Sequence, residues 1–300
     1  MTHGPDPAPL PGELPQQFRV SDANGAGLPE HRLRAADLDR QFWGLRSTKV
    51  AEDLVSRSQL LQLRMPEHAF FSHVTAAQLY GIPVPLGYQS SSILHVSVPA
   101  PARAPHAAGL QGHAITIEPA DATKLLGIRV SSVARTWCDL STQLSLHNLV
   151  AAGDYIIRRD APLASRATLR AAVNGFQGRR GLPLLVAALE LLHDRAESAP
   201  ESILRVMLRQ AGFPDPRVNY VVTDRFGAFL ARTDLFIEEY KLVLEYQGDY
   251  HRKSREQFRS DMTRRSKLEA EGLRFMEING DDLHDPAEVM QRIRKLVGLV

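Results

Sequence analysis

Two short apolar runs near the end of the chain, residues 235–237 and 242–244, flank a polar break at 238–241. Apolar runs of this length around a short polar segment predict a hairpin of buried strands. The flanking pattern predicts further strands at 218–222 and 273–278, and helices at 199–211, at about 255–271 and from 286 onward. The order helix, strands, helix, strand, helix is typical of an α/β or α+β domain.

This hairpin brings two acidic residues together. With the turn centred on Glu239 and Tyr240, Asp234 lies directly opposite Glu245 and the two side chains share one face. Like charges placed opposite each other destabilise a sheet. We therefore expect a cation between these two carboxylates.

The pattern in the rest of the chain is weaker. Residues 1–29 are rich in Pro and Gly, a composition that predicts a flexible extension. A short helix is predicted to begin at Ser72 or Thr75, as its cap, and to end at Gly81. Strands are predicted at 93–98, 115–117 and 128–130, helices at 132–144, 146–158, 165–173 and 182–195, and a Gly-rich loop at 174–181.

Composition sets limits on the class of protein. The 300 residues are 44% hydrophobic and 23% charged, which is enough apolar material for two domain cores. Net charge is +2, so a surface that binds nucleic acid must be local. One cysteine excludes an internal disulfide framework and fits a reducing compartment. Without an apolar run of about 18 residues, we expect a soluble, cytoplasmic protein with no membrane partner.

Candidate chemistry centres on the hairpin. Glu245 and Gln247 are two apart on one strand and point the same way, and Asp234 lies across from them. Two carboxylates and an amide suit Mg²⁺ or Mn²⁺, which prefer oxygen ligands. A metal ion held there activates water and neutralises charge that develops on a phosphate. The cluster therefore predicts hydrolysis of phosphodiester bonds.

Simpler explanations exist for these acids. Asp234 fits a solvated acid at a strand edge, and Glu245 fits a partner for a nearby arginine such as Arg232. Glu201 completes an S-x-x-E capping box with Ser198, which explains it without catalysis.

The pattern Glu201…Thr233-Asp234…Glu245-Tyr-Gln247-Gly…His251 resembles the PD-(D/E)XK nuclease superfamily, and within it the very-short-patch-repair-like endonuclease domain. The resemblance covers residues 196–300. It implies a restriction-endonuclease-like αβββαβα fold and a magnesium-dependent endonuclease that acts on DNA.

The resemblance also implies roles for individual residues. Asp234 and Glu245 would bind the metal, and Glu201 and His251 would assist catalysis. Gln247 stands where many members carry the catalytic Lys, and it cannot supply the positive charge of Lys. Thr233 replaces the usual Pro before the first acid, a position at which Pro only shapes the backbone.

A basic segment follows these residues. Residues 251–267 hold seven Lys or Arg and two acids. The pattern predicts contacts with DNA phosphates, with a solvated helix face as the alternative, and it places Phe258, Met262 and Leu268 toward the core. The predicted phosphate-binding residues are Arg252, Lys253, Arg255, Arg259, Arg264 and Arg265.

Segments 71–83, 95–98 and 132–140 resemble the AbiEi-type antitoxin and transcriptional-regulator family. The resemblance implies a winged-helix-like, mixed α/β module over residues 30–173, whose role is DNA or protein recognition or purely structural. We assign no catalytic residue there: Ser72, His73 and Thr75 fit helix-start positions, and His95 fits a strand. Arg135 and Asp139 are four apart and are expected to pair within a helix.

The sequence therefore predicts an extension (1–29), a regulator-like module (30–173), a connecting segment (174–195) and a nuclease-like domain (196–300). The expected function is metal-dependent cleavage of DNA. The alternative is a non-catalytic DNA-binding regulator or antitoxin that retains a nuclease-like fold and has a toxin or another protein as its partner.

Overall fold

A computed structural model describes residues 7–248 and 255–299, and for residues 255–258 it describes the backbone alone. The chain divides into two compact units, Met1–Asp139 and Leu140–Val300, which we call the N-terminal and C-terminal units. Both units combine helices with sheets, so the predicted mixed α/β class is confirmed at that level. Among the described residues, no helix has both the length and the apolar character needed to span a bilayer.

The elements of the N-terminal unit, in chain order, are β1 (Gln17–Arg19), α1 (Val20–Gly25), α2 (Glu30–Leu33), β2 (Leu45–Ser47), α3 (Leu54–Gln62), β3 (Phe70–Phe71), α4 (His73–Leu79), α5 (Leu86–Gln89), β4 (Leu94–Pro99), β5 (Leu110–Ile115), β6 (Ala122–Leu125), β7 (Ile128–Ser131) and α6 (Val133–Leu140), whose last residue opens the next unit. A five-stranded sheet has the order β5-β4-β3-β7-β6. Strands β4 and β5 are parallel, as are β3 and β7.

Part of the expected flexible extension is ordered. Strand β1 pairs with β2, and Phe18, Ala23 and Leu28 are buried in a small apolar cluster with Leu33 and Leu38. The Pro- and Gly-rich composition concealed these apolar positions because they are widely spaced. Strand β5, Leu110–Ile115, lies upstream of the strand expected at 115–117. The sequence pattern did not locate it because an edge strand with few buried apolar side chains has no clear alternation.

The elements of the C-terminal unit, in chain order, are α7 (Leu146–Ile157), α8 (Arg166–Gly175), α9 (Leu182–Leu191), α10 (Ala199–Gln210), β8 (Arg217–Thr223), β9 (Phe229–Ile237), β10 (Leu242–Tyr246), α11 (Arg255–Ala270), β11 (Arg274–Ile278), α12 (Gly280–His284) and α13 (Pro286–Val297). From α10 onward the order is the predicted helix, three strands, helix, strand and final helix, with the short helix α12 before the last as an element that the sequence pattern did not predict. The four strands form one sheet in the order β11-β10-β9-β8, and β10 and β11 are parallel.

The main core of this unit lies between the sheet and helices α10 and α13. Leu204 and Leu208 pack with the strand residues Leu235 and Leu244, and Ile293 of α13 completes this cluster. Helix α11 contributes Leu268 to a second cluster with Val222 and Ala231. Both apolar runs of the predicted hairpin are thus buried, as expected.

A buried ion pair joins α7 to α10. The Asp154 carboxylate accepts hydrogen bonds from Arg205 Nη2 at 2.9 Å, Ser202 Oγ at 2.7 Å and the His193 backbone N–H at 2.6 Å. Asp154 and Arg205 are both buried. Three donors at one carboxylate compensate its removal from water, so each donor matters for stability.

Replacing Arg205 with Leu should therefore lower the stability of the C-terminal unit. The change leaves the Asp154 charge buried without its counter-ion, at a cost of about 3–5 kcal/mol. Urea unfolding followed by circular dichroism measures this loss. Arg209→Leu on the same helix is the control, because its pair with Asp215 is exposed and such pairs contribute about 0–1 kcal/mol. Equal losses in the two variants would contradict the prediction.

Candidate functional site

The hairpin has the register that the sequence predicts. Leu242 pairs with Ile237 and Leu244 with Leu235, and the next pair in this register is Glu245 with Asp234. The turn is a short 3-10 helix, Glu238–Tyr240, followed by Lys241 in the left-handed conformation at φ 50°. Because side chains alternate along a strand, Asp234 and Glu245 lie on the face opposite Leu235 and Leu244.

Backbone and side-chain donors orient the two carboxylates. Asp234 Oδ2 accepts a hydrogen bond from the Tyr246 backbone N–H at 2.9 Å. Glu245 Oε2 accepts one from Arg264 Nη2 at 2.6 Å. Glu245 Oε1 is buried and has no hydrogen-bond partner among the described residues. The acid pair therefore includes one carboxylate oxygen that is shielded from water and unsatisfied.

An arginine side chain places a positive charge beside the acid pair. Arg264 is paired with Glu245, and its charge lowers the pKa of both Glu245 and Asp234 against the larger effect of burial. The suggested partner Arg232 instead pairs with Glu197, with Nη1 and Oε1 2.8 Å apart. The simpler explanation of Glu245, a pair with a nearby arginine, therefore applies to Arg264 and not to Arg232.

The pKa of Glu245 is raised to about 7, chiefly by burial; the charge of Arg264 opposes this rise, and the negative charges of Asp234, Asp261 and Glu277 add to it. Burial is also the main reason why the pKa of Asp234 is raised. Both acids thus lie where the charged form is disfavoured, which is typical of sites that bind a cation or transfer protons.

Glu201 lies at the start of α10 and is held by capping contacts. Ser198 Oγ donates to Glu201 Oε1 at 2.8 Å, and the Glu197 backbone N–H donates to Oε2 at 3.1 Å. Asn219 Nδ2 also donates to Oε2, at 3.0 Å. Burial is the main cause that raises the pKa of Glu201, and the negative charge of Asp234 adds to it, so the two acids interact electrostatically. The structure gives Glu201 the helix-capping contacts, and its catalytic role stays a prediction.

Gln247 directly follows the last residue of β10, and its backbone N–H donates to the carbonyl oxygen of Ile278 on β11 at 2.7 Å. Its side chain is half-buried in a cleft lined also by Asp261, Arg265, Ser266 and Glu277. His251, Arg252 and Lys253 lie outside the described residues, as does the side chain of Arg255.

Three of the predicted phosphate-binding arginines are described, and they differ in exposure and in the side chains that they contact. Arg259 is exposed. Arg265 pairs with Glu269 at 2.9 Å and lies over the Phe275 ring, 5.1 Å from its centroid. Arg264 is one-third exposed and faces Glu245.

The expected apolar stripe of α11 is correct for Leu268 and wrong for Met262, which is 58% exposed. At about 100° per residue, Met262 lies about 120° around the helix from Leu268, whereas Arg264 lies within about 40° of it. The spacing from Leu268 is thus the sequence signal that could have identified Arg264 as facing the sheet. In the N-terminal unit, the expected Arg135–Asp139 pair is confirmed at 2.8 Å.

The acid pair has the chemistry of a site for a divalent cation. Glu245 offers a buried, unpartnered oxygen and Asp234 lies opposite it, a donor set of hard oxygen atoms that suits Mg²⁺ or Mn²⁺. Among the described residues, the acids do not form a tight group of three ligands; three histidines of the N-terminal unit do. A divalent cation at the hairpin would therefore be held by two carboxylates, with water or phosphate oxygens as its remaining ligands.

The raised pKa of Glu245 predicts a pH-dependent stability. Between the ordinary value of 4.5 and about 7, the folded protein retains a proton that the unfolded chain has released. Stability therefore falls as pH rises through this window. Without divalent cations, Glu245→Gln should raise the urea midpoint more at pH ~7.5 than at pH ~5 relative to wild type. The exposed Glu239→Gln is the control, and an effect of Glu245→Gln that is the same at both pH values would contradict the prediction.

Comparisons with known proteins give relatives of similar length. Two uncharacterized proteins from two strains of Mycobacterium tuberculosis are each 29% identical to this chain over 269 residues. The aligned region covers 88% of this chain and 94% of each relative, so the similarity extends through both units. No family model matches the chain, and no solved structure matches it.

Proposed function

We propose that the C-terminal unit cleaves phosphodiester bonds in DNA with a divalent cation, Mg²⁺ or Mn²⁺, held by Asp234 and Glu245. The observation that carries this proposal is the buried Oε1 of Glu245, which has no hydrogen-bond partner in the described part of the chain and lies on a residue opposite a second carboxylate. A buried charged oxygen without a partner is costly. A cation at this position would offset that cost and the repulsion between the two acids.

When bound, the cation would supply an activated water and neutralise charge on the phosphate. Residues of this chain orient the two carboxylates that would hold the cation. The Tyr246 backbone N–H orients Asp234, and Arg264 orients Glu245. The guanidinium of Arg264 also puts a positive charge at the acid pair while one third of its side chain remains exposed. We assign to Arg264 the charge that Gln247 lacks, and to the Gln247 amide the positioning of water or phosphate.

The surrounding charge supports a nucleic acid as substrate. Arg259 is exposed on α11, the helix that also carries Arg264. A cleft beside Glu197 is lined by Arg158, Arg159, Arg195 and Arg232, and three of these arginines pair with the acids of the same cleft, Asp160, Asp194 and Glu197. The exposed guanidinium group of Arg259 favours binding of a phosphate backbone without a sequence preference.

One contact favours a second candidate function, that of a non-catalytic DNA-binding regulator or antitoxin. The Arg264–Glu245 pair already supplies a counter-ion to the acid pair. A metal ion is then not required for the hairpin to fold, and the fold could serve as a docking surface for DNA or a protein partner.

Nicking of supercoiled DNA distinguishes the two candidates. With Mg²⁺ or Mn²⁺, the full chain should convert supercoiled plasmid to open circles. Asp234→Asn should reduce the rate at least ~100-fold, because it removes a charged metal ligand while preserving the shape of the side chain. Glu239→Gln, at the opposite end of the hairpin, should keep the wild-type rate. DNA binding without nicking under either metal would reject the enzyme in favour of the regulator.

Salt dependence tests the basic face separately. Arg259→Ala should lower the slope of log affinity against log salt concentration by ~1, because one phosphate contact is lost. Fluorescence anisotropy with a labelled duplex at several salt concentrations measures this slope. Arg209→Ala, an exposed arginine on α10 that pairs with Asp215, is the control. An unchanged slope for Arg259→Ala would remove this residue from the DNA-binding surface.

A further inference from the structure

Three histidines from three separate elements meet in the N-terminal unit. His73 is the first residue of α4, His95 lies on β4 and His113 lies on β5. In the parallel register, His113 pairs with Ser97, which is two residues after His95. His95 and His113 therefore lie on the same face of the sheet. The Ser72 backbone N–H donates to the His95 carbonyl oxygen at 3.1 Å, which places His73 next to the pair.

The three rings are in close contact. The His73 and His113 rings are stacked with centroids 3.7 Å apart, and the His95 ring is 5.3 Å from His113 and 5.9 Å from His73. His95 Nδ1 and His113 Nε2 are 3.0 Å apart. One ring nitrogen of each histidine lies within 4.8 Å of the other two. His73 and His95 are buried and His113 is half-buried.

These distances suit a single metal ion. Tetrahedral Zn²⁺ with bonds to nitrogen of about 2.0–2.1 Å keeps its ligand nitrogens about 3.3 Å apart. The distance of 3.0 Å between His95 Nδ1 and His113 Nε2 is close to this spacing. The ligand nitrogens of the three histidines lie within 4.8 Å of one another. The largest of these distances therefore exceeds the spacing by at most about 1.5 Å, a difference that rotation about the side-chain bonds can close.

The surroundings favour the neutral imidazole, which is the form that binds metal. Burial lowers the pKa of all three histidines, to about 4 for His95 and well below the ordinary value for His73. The charge of Arg135, which is itself paired with Asp139 and Asp121, lowers the pKa of His73 further. Three neutral rings thus converge without competition from protons near neutral pH.

The hydroxyl groups of Ser72 and Ser97 form a hydrogen-bonded chain that contacts the ring of His73. Ser72 Oγ lies 2.9 Å from His73 Nδ1, and Ser97 Oγ donates to Ser72 Oγ at 2.6 Å. In the tautomer with its proton on Nδ1, His73 donates to Ser72 and leaves Nε2 unprotonated and free to bind a metal ion. A histidine that binds a metal ion usually donates its other N–H in this way.

The start of α4 departs from the usual geometry of a helix N-terminus in its cap and in its backbone conformation. Ser72 occupies the N-cap position of α4, yet its side chain makes no capping hydrogen bond and contacts His73 and Ser97 instead. The expected N-cap position of Ser72 is therefore confirmed, but its side chain does not make the capping hydrogen bond. Thr75, the other candidate, accepts a hydrogen bond from the His95 backbone N–H at 2.7 Å. His73 adopts φ 52°, a left-handed conformation that is uncommon for a residue with a side chain.

We propose that His73, His95 and His113 bind one divalent first-row transition metal ion, for which Zn²⁺ is the matching species. Three imidazole ligands suit Zn²⁺ and its neighbours in the series, whereas Mg²⁺ prefers oxygen. The group contains no fourth Cys, His, Asp or Glu ligand from the described part of the chain. The ion therefore keeps an open position for water or for an anionic ligand, as in zinc sites with three protein ligands. This proposal is independent of the proposed nuclease function.

Zinc titration of the full, tag-free chain tests the proposal. After removal of metal with a chelator, the protein is titrated with Zn²⁺ in competition with a chromophoric chelator. Wild type should bind one Zn²⁺ at the cluster. His113→Gln, a change at the least buried ligand, should weaken binding at least ~10-fold, since even loss of a residue that only supports a metal ligand has an effect of this size. The exposed His68→Gln is the matched control and should bind as wild type does.

Two further measurements show whether the zinc is bound at the histidine cluster and not at the acid pair, and whether wild type alone binds a transition metal ion. The double variant Asp234→Asn, Glu245→Gln should retain the zinc, which separates the cluster from the acid pair. Co²⁺ added to wild type should give visible absorption bands of a four- or five-coordinate ion, a readout that needs no variant to fold. Zinc binding that is equal in wild type and in folded His113→Gln would overturn the proposal. Absence of both zinc binding and cobalt bands in folded wild type would also overturn it.

Discussion

The antiparallel register of β9 and β10 is the constraint on which the candidate site of the C-terminal unit depends. It buries Leu235 against Leu244 on one face and, by alternation, sets Asp234 opposite Glu245 on the other. Burial of the apolar pair fixes the acid pair, because the two faces cannot be chosen separately. The sheet therefore holds two repelling carboxylates in place through hydrophobic packing, and Arg264 offsets part of that repulsion.

Features that depend on neighbours along the chain could be predicted from the sequence. The hairpin register follows from two apolar runs and the turn between them, and the Arg135–Asp139 pair follows from helical spacing. The order of elements in the C-terminal unit follows from alternating apolar patterns. In each case the residues involved interact with near neighbours, so the periodicity of one or two elements carries the information.

Features that depend on distant parts of the chain could not be predicted in this way. Arg264 was expected to contact DNA because it lies in a basic segment, but it faces Glu245 across 19 residues of sequence. The three histidines lie on a helix, a central strand and an edge strand, and β5 has too little apolar alternation to set its register. Their convergence comes from the sheet order β5-β4-β3, a result of packing that no local pattern expresses.

The turn between β9 and β10 has a consequence for changes in chain length. Surface turns usually accept inserted or deleted residues at little cost. Here Glu238–Tyr240 and the left-handed Lys241 set the offset between two strands, and a change of one residue in that offset turns one strand over relative to the other. A single-residue deletion at this exposed tip would thus separate the carboxylates without altering either of them. The length of this turn is therefore as important to the geometry of the candidate site as the two acids themselves.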